Sequence, residues 1–247
     1  MTDEQYAIAM QAIDLSIRHM EKAVPAPSLS LAPGGYQAYR FRDKLFQQAI
    51  LLKTVRIGSA LRALKLLLDH GLMLDAGASM RILDELGSDV LFLAGPLVMR
   101  TAVEDRHNQF LAEFFQEEFN NADPLKSTQK RHRVGRREIR AYIARTYKTE
   151  FSESHVVSVT AIVDGVFSGF VHGAAVHTMD VFDGARFQVP SPKDHPALDG
   201  MRLQFPQYVH RSMMNAAVAS KAAGCEETFI NFRNLIRTMF DDDGSLR

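Results

Sequence analysis

Residues 152–183, SESHVVSVTAIVDGVFSGFVHGAAVHTMDVFD, constrain the fold more than any other stretch, because at helical period they are apolar on almost every side. A helix that is hydrophobic all round belongs in an interior, so the pattern predicts a central, buried helix. Its small residues, among them Ala161, Gly165, Ser168, Gly169 and Gly173, lower helix propensity but let neighbouring backbones approach closely. Asp164, Ser168 and His172 follow one another at i, i+4 spacing, while His155 and His177 share another side with Val159, Ile162, Val166 and Phe170. Buried imidazoles and hydroxyls need hydrogen-bond partners, which adjoining helices would have to supply.

The rest of the chain reads as rods to surround that helix. Residues 3–23 repeat Tyr6, Ile13, Ile17 and Met20 at helical spacing; PAPSLSLAPGG then breaks regular structure, leaving an N-terminal helix plus a Pro/Gly-rich arm over 1–35. Residues 36–70 carry a stripe from Leu45 to Leu68 closed by Gly71, a helix roughly 50 Å long at ~1.5 Å per residue. Asp75 stands where it would cap a helix through about residue 93, which Gly95 and Pro96 end or kink. Further helices are predicted over 101–121, 133–149, 207–223 and 226–240, with 184–205 irregular and no period-two run long enough for a strand. At 247 residues the chain can bury one large core. The expectation is a single all-α domain over 1–247, a bundle of about seven or eight helices around the central one.

Charge and cysteine usage narrow the partners. Twenty-nine Lys and Arg balance 29 Asp and Glu, so any attraction to nucleic acid must be local. The single cysteine, Cys225, excludes an internal disulfide and a Cys-rich zinc site and fits a reducing compartment. The start, MTDEQYAIAM, carries acids where a secretory signal carries bases, and no charge-free apolar run reaches the ~18 residues of a membrane span. A cytoplasmic location with no membrane partner is expected.

Arg100 and His107 lie close to two helical turns apart, so in one continuous helix they would stack on one face with Val103, Phe110 and Phe114. A guanidinium beside a desolvated imidazole suits phosphodiester cleavage, the arginine stabilising transition-state charge and the histidine moving the proton. The spacing resembles the motif of the HEPN superfamily of helical ribonucleases, although Thr101 stands where that motif usually carries Asn, Asp or His. The resemblance implies a metal-independent, RNA-cleaving protein of toxin or defence type, a homodimer pairing two motifs across its interface, with Arg100 and His107 as the cleavage pair. On the residues alone, His107 is equally a satisfied core histidine and Arg100 a helix cap.

A second resemblance rests on RILDELGSDVLFL, residues 81–93, followed by FSGFVHGA, residues 167–174. These are similar to an uncharacterised family of bacterial helical proteins with an R-x-x-x-E helix and a later S-x-x-x-H helix. That resemblance implies a cluster of Arg81, Glu85, Ser168 and His172 as further candidate catalytic residues, with no established activity. Arg81 and Glu85 could equally be an exposed i, i+4 pair worth ~0.3–0.5 kcal/mol. Asp164, Ser168 and His172 do not make a triad, because the serine lies between acid and histidine; Ser168 is expected to bond back to the Asp164 carbonyl.

Glu104-x-x-His107 is half of a di-iron signature whose second copy is missing, and although His155 or His177 could approach it from a neighbouring helix, no metal ligands are assigned and no cofactor is expected. Residues 126–148 hold nine Lys or Arg and one acid, and on a wheel Lys130, Arg133, Arg136, Arg137, Arg140 and Lys148 share a face opposite Ile139 and Tyr142. That face suits nucleic-acid phosphates, or a solvated surface, or an acidic partner, including the acidic outer face of residues 101–121. Three functions stay open: an RNA-cleaving homodimer, a scaffold that binds another protein, and a bundle holding a small ligand or metal. An enzyme should gather Arg81, Glu85, His107 and His172 around one cleft; a scaffold should bury or scatter them.

Overall fold

The helix on which the others pack is Met73–Val98, and residues 152–183 lie outside it. A computed structural model of the protein describes residues 1–33, 35–147 and 152–247, except the side chain of Asp164. In chain order the elements are α1 (Asp3–Ala23), β1 (Ser28–Leu31), β2 (Gln37–Arg40), α2 (Phe46–Asp69), α3 (Met73–Val98), α4 (Asp105–Phe114), a 3-10 turn (Pro124–Lys126), α5 (Arg136–Thr146), α6 (Glu153–Val171), α7 (Ala175–Met179), α8 (Pro196–Ala222) and α9 (Glu226–Met239). The fold is an all-α bundle with one small hairpin. Among the described residues it has nine α-helices where seven or eight were expected.

Three glycines explain why α3 is central. A Cβ on Gly77 would lie 2.5 Å from the Phe170 ring of α6, on Gly87 2.5 Å from the Asn215 amide of α8, and on Gly95 against the hydroxyl end of Tyr142 of α5. Each absent side chain is the seat of a neighbouring helix. α2 covers the remaining side, and the core between them (Met80, Val90, Phe92 and Leu93 against Ile57, Leu61, Val209 and Met213) is shut off from water. Backbone approach through missing side chains was the right principle, applied in the sequence to the wrong helix.

The expectation of a buried central helix over 152–183 is therefore corrected. The segment breaks at Gly173, whose φ of +62° only glycine adopts freely, into α6 and the short α7. No described side chain of α6 is fully buried; Phe167 and Phe170 pack inward, while Ile162 is 68% and Val166 50% exposed. Hydrophobicity all round does not separate an interior helix from one that leaves an apolar face uncovered. Among the described residues α6 is also the helix long and apolar enough to cross a membrane, its mean hydropathy reaching 1.5 across Asp164.

Other boundaries moved for local reasons. α1 has its expected bounds, held by a capping box in which the Gln5 N–H donates to the Thr2 hydroxyl (3.1 Å) and the Thr2 N–H to the Gln5 side chain (2.9 Å). The arm after it contains β1, paired antiparallel with β2 from Ser28 opposite Arg40 to Leu31 opposite Gln37. These four-residue strands are too short to show a period, so the helix expected from residue 36 begins only at Phe46. α3 runs through Pro96 to Val98 instead of ending near residue 93; the proline falls in its last turn. The helix expected over 101–121 shrinks to Asp105–Phe114, that over 133–149 to Arg136–Thr146, and α8 begins at Pro196, inside the stretch read as irregular. Lys148 and Thr149 lie outside the described residues.

Candidate functional site

Arg100 and His107 do not share a helix. Arg100 sits in the loop after α3 with φ +54°, exposed, whereas His107 is in the first turn of α4 with no solvent exposure. The expected stacking on one helix face is thus corrected: a left-handed residue at position 100 turns the chain before α4 starts. The His107 ring lies against Phe92 (centroids 4.3 Å apart) and meets Tyr142 edge-on at 4.5 Å. Its Nδ1 accepts the Glu104 N–H at 3.0 Å, so this nitrogen carries no proton and the imidazole is the half of a capping box that a glutamate or glutamine usually provides. Nε2 is enclosed and makes no well-formed hydrogen bond; it faces the Phe92 carbonyl, which has lost its helical donor because Pro96 lacks an N–H. Burial lowers the His107 pKa, the Glu104 carboxylate partly offsetting it.

Arg81 and Glu85 pair with each other at 2.5 Å, as i, i+4 spacing allows, and Glu85 also faces Arg136 of α5. Glu85 meets Arg136 at 3.5 Å, and one turn further on Asp89, 2% exposed, binds Lys53 (2.7 Å) and Arg136 (2.5 Å). The result is an ion-pair ridge, buried at Asp89 and partly exposed at Glu85 and Arg136, that ties α2, α3 and α5 together. His172 caps the C-terminus of α6 and is exposed, and Ser168 lies half-buried on α6. The described ion pairs of Glu85 are with Arg81 and Arg136, and none of the described contacts joins Glu85 to His172. His155 is exposed, and His177 stacks on Phe170 at 4.1 Å. Among the described residues no three His, Cys, Asp or Glu side chains converge as metal ligands.

The basic stretch is not one continuous helical face, since Lys130 and Arg133 precede α5. Of its cations, Arg131 and Arg133 reach Glu113 (3.5 and 3.6 Å), Arg136 is held by Asp89, and Arg145 reaches Glu153 at 3.3 Å. The acidic outer face of α4 is thus among the partners of this stretch. Arg140 is half-buried, its pKa lowered by burial and by the neighbouring Arg81 and Arg136 guanidiniums. Lys130 and Arg137 stay exposed, while Ile139 and Tyr142 are buried as the wheel predicted.

What the structure does assemble is a cleft of about 480 Å³ where α6 leans across α3, α5 and α8. Its walls are apolar: Leu83 and Leu91 from α3, Val159 and Val163 from α6, Met214 and Val218 from α8. At one end Asp84 accepts hydrogen bonds from the Tyr208 hydroxyl (3.1 Å) and the Arg211 guanidinium (2.8 Å), and Arg211 lies 4.2 Å over the Tyr208 ring. Burial raises the Asp84 pKa against the opposing pull of Arg211, and burial beside Asp84 raises that of Tyr208. The Asn215 amide and the Ser212 hydroxyl also line the cleft, and among the described residues neither has a hydrogen-bond partner. Neither residue stood out in the sequence. The available signal was Tyr208, Arg211, Ser212 and Asn215 at i, i+3, i+4 and i+7, a polar stripe on the side of α8 that also buries Phe205 and Val209.

No family model, curated protein or solved structure matches this chain.

Proposed function

We propose that the protein is a ligand-binding helical bundle whose cleft between α3, α5, α6 and α8 takes a small, largely apolar molecule bearing one neutral hydrogen-bonding group. The observation that carries this reading is the pairing of apolar walls with two polar side chains, Asn215 and Ser212, that have no hydrogen-bond partner among the described residues. A cleft of about 480 Å³ is of the size that encloses a drug-sized molecule, and such sites join apolar walls to a few convergent polar groups. Arg211 at its rim is already paired with Asp84, so at that end an uncharged polar group suits the cleft better than a carboxylate or phosphate. The ribonuclease reading lacks comparable support, because a proton-transferring histidine must reach its substrate and His107 has no exposed atom.

The test is fluorescence titration with N-phenyl-1-naphthylamine, a neutral apolar probe carrying one N–H. Saturable binding is expected, abolished by Val159→Trp, which fills the cleft, and weakened roughly fivefold by Asn215→Leu, as loss of one hydrogen bond worth about 1 kcal/mol requires. Absence of saturation in the wild type, or the same affinity in both variants, overturns the proposal.

A further inference from the structure

The side of α6 turned away from the cleft is apolar and, among the described residues, exposed. Ser158, Ala161, Ile162, Gly165 and Val166 recur there at i, i+3, i+4, i+7 and i+8, and all are exposed. The seam lies about a third of a turn from Val163, which faces the cleft. A Cβ built on Gly165 meets nothing within 4 Å. α7, which folds back on α6 through His177 and Phe170, adds Val176 (74% exposed) and Met179 (51%).

We propose that this face is a self-association surface that closes on the same face of a second copy of the chain. Three observations favour a second copy over other occupants. The exposed side chains of Ile162, Val166, Val176 and Met179 amount to on the order of 400 Å² of apolar surface, the size of the largest patch on a typical monomer and about half of the ~800 Å² each partner gives to a standard interface. The shape is self-complementary: Ala161 and Gly165, four apart, make a shallow groove beside the β-branched ridge of Ile162 and Val166, and a two-fold axis brings groove onto ridge twice. The charge pattern points the same way, since Glu153 and Asp164 are the charged residues of α6 and neither is basic. A helix that lies on a membrane surface is rich in Lys and Arg on its polar face. Nor is α6 free to insert into lipid while Phe170 stays seated over Gly77 of α3.

Sedimentation equilibrium across about a hundredfold concentration range tests this, on the wild type, Ile162→Glu and Gly165→Arg. Both substitutions project into open space in the monomer, so the variants should keep the wild-type helical circular dichroism and the probe binding of the cleft. The expected result is a wild-type dimer whose dissociation constant rises at least ~10-fold in each variant. A wild type that is monomeric throughout, a dimer indifferent to both substitutions, or a monomer that pellets with phosphatidylcholine or phosphatidylglycerol vesicles overturns the proposal. A monomer that still binds the probe would overturn self-association alone and leave the cleft reading intact.

Discussion

Phe170 of α6 covers Gly77 of α3 so closely that a Cβ on the glycine would stand 2.5 Å from the ring carbons. This contact seats the apolar helix against the bundle, and because Phe170 also carries His177, it sets where the chain turns back into α7. Among the described contacts, Phe170 over Gly77, Phe167 beside Tyr208 and the Arg145–Glu153 ion pair hold α6 to the bundle.

Enlarging the seat should loosen that helix. Gly77→Leu must displace the ring or the helix, at a cost of about 1–3 kcal/mol typical of overpacking. Thermal melting should show the loss, and amide exchange should show it concentrated in α6, with α2 and α9 as protected as in the wild type.

Two glycines on α6 itself should behave oppositely. Gly169 is covered by the His177 ring, so Gly169→Leu displaces α7 and destabilises by about 1–3 kcal/mol. Gly165 has open space, so at concentrations where the chain is monomeric Gly165→Ala should stabilise by about 0.5–1 kcal/mol through helix propensity. Chemical denaturation of both variants checks the contrast.

The ion-pair ridge makes a sharper demand. Asp89 is held by Lys53 and Arg136 almost out of water, so Asp89→Ala strands a largely buried Lys53 ammonium and should cost about 3–5 kcal/mol. The double substitution Lys53→Met, Asp89→Leu removes both charges and should cost less than Asp89→Ala alone. Equal losses in urea denaturation would mean that pairing contributes nothing there.

Acid should weaken the fold through His107. Burial holds its folded pKa below the ordinary value, so the unfolded chain binds the proton first; this contribution is complete above about pH 6.5 and is lost as pH falls below it. His210, lowered by burial and by Arg211, acts in the same direction. His107→Phe, which keeps the stacking on Phe92, should therefore show a shallower decline in stability between pH 7.5 and pH 5 than the wild type, with His210 accounting for the remainder. Parallel pH profiles for the two proteins would remove His107 from this role.

Much of the molecule was legible before any coordinates. The bounds of α1, the end of α2 just before Gly71, the extent of α9 and the buried side of α5 at Ile139 and Tyr142 follow from caps, breakers and apolar spacing. The core-histidine alternative for His107 also followed from the residues. The candidate site was hardly legible. Arg81 and Glu85 are neighbours because they sit on one helix, but the meeting of Glu85 with Arg136, 51 residues away, could not be read from spacing. Asn215 and Ser212 matter because α6 leans over them, and nothing local to α8 shows that.

Helical periodicity and capping chemistry act within a few turns of chain, and so they determined that this protein is all-helical and where most rods start and stop. Which rod takes the middle depends on whose missing side chains are filled by neighbours. Gly77, Gly87 and Gly95 receive Phe170, Asn215 and Tyr142, while Gly165 receives nothing. Only the packed structure decides between those two kinds of glycine, because the filling atoms come from elsewhere in the chain.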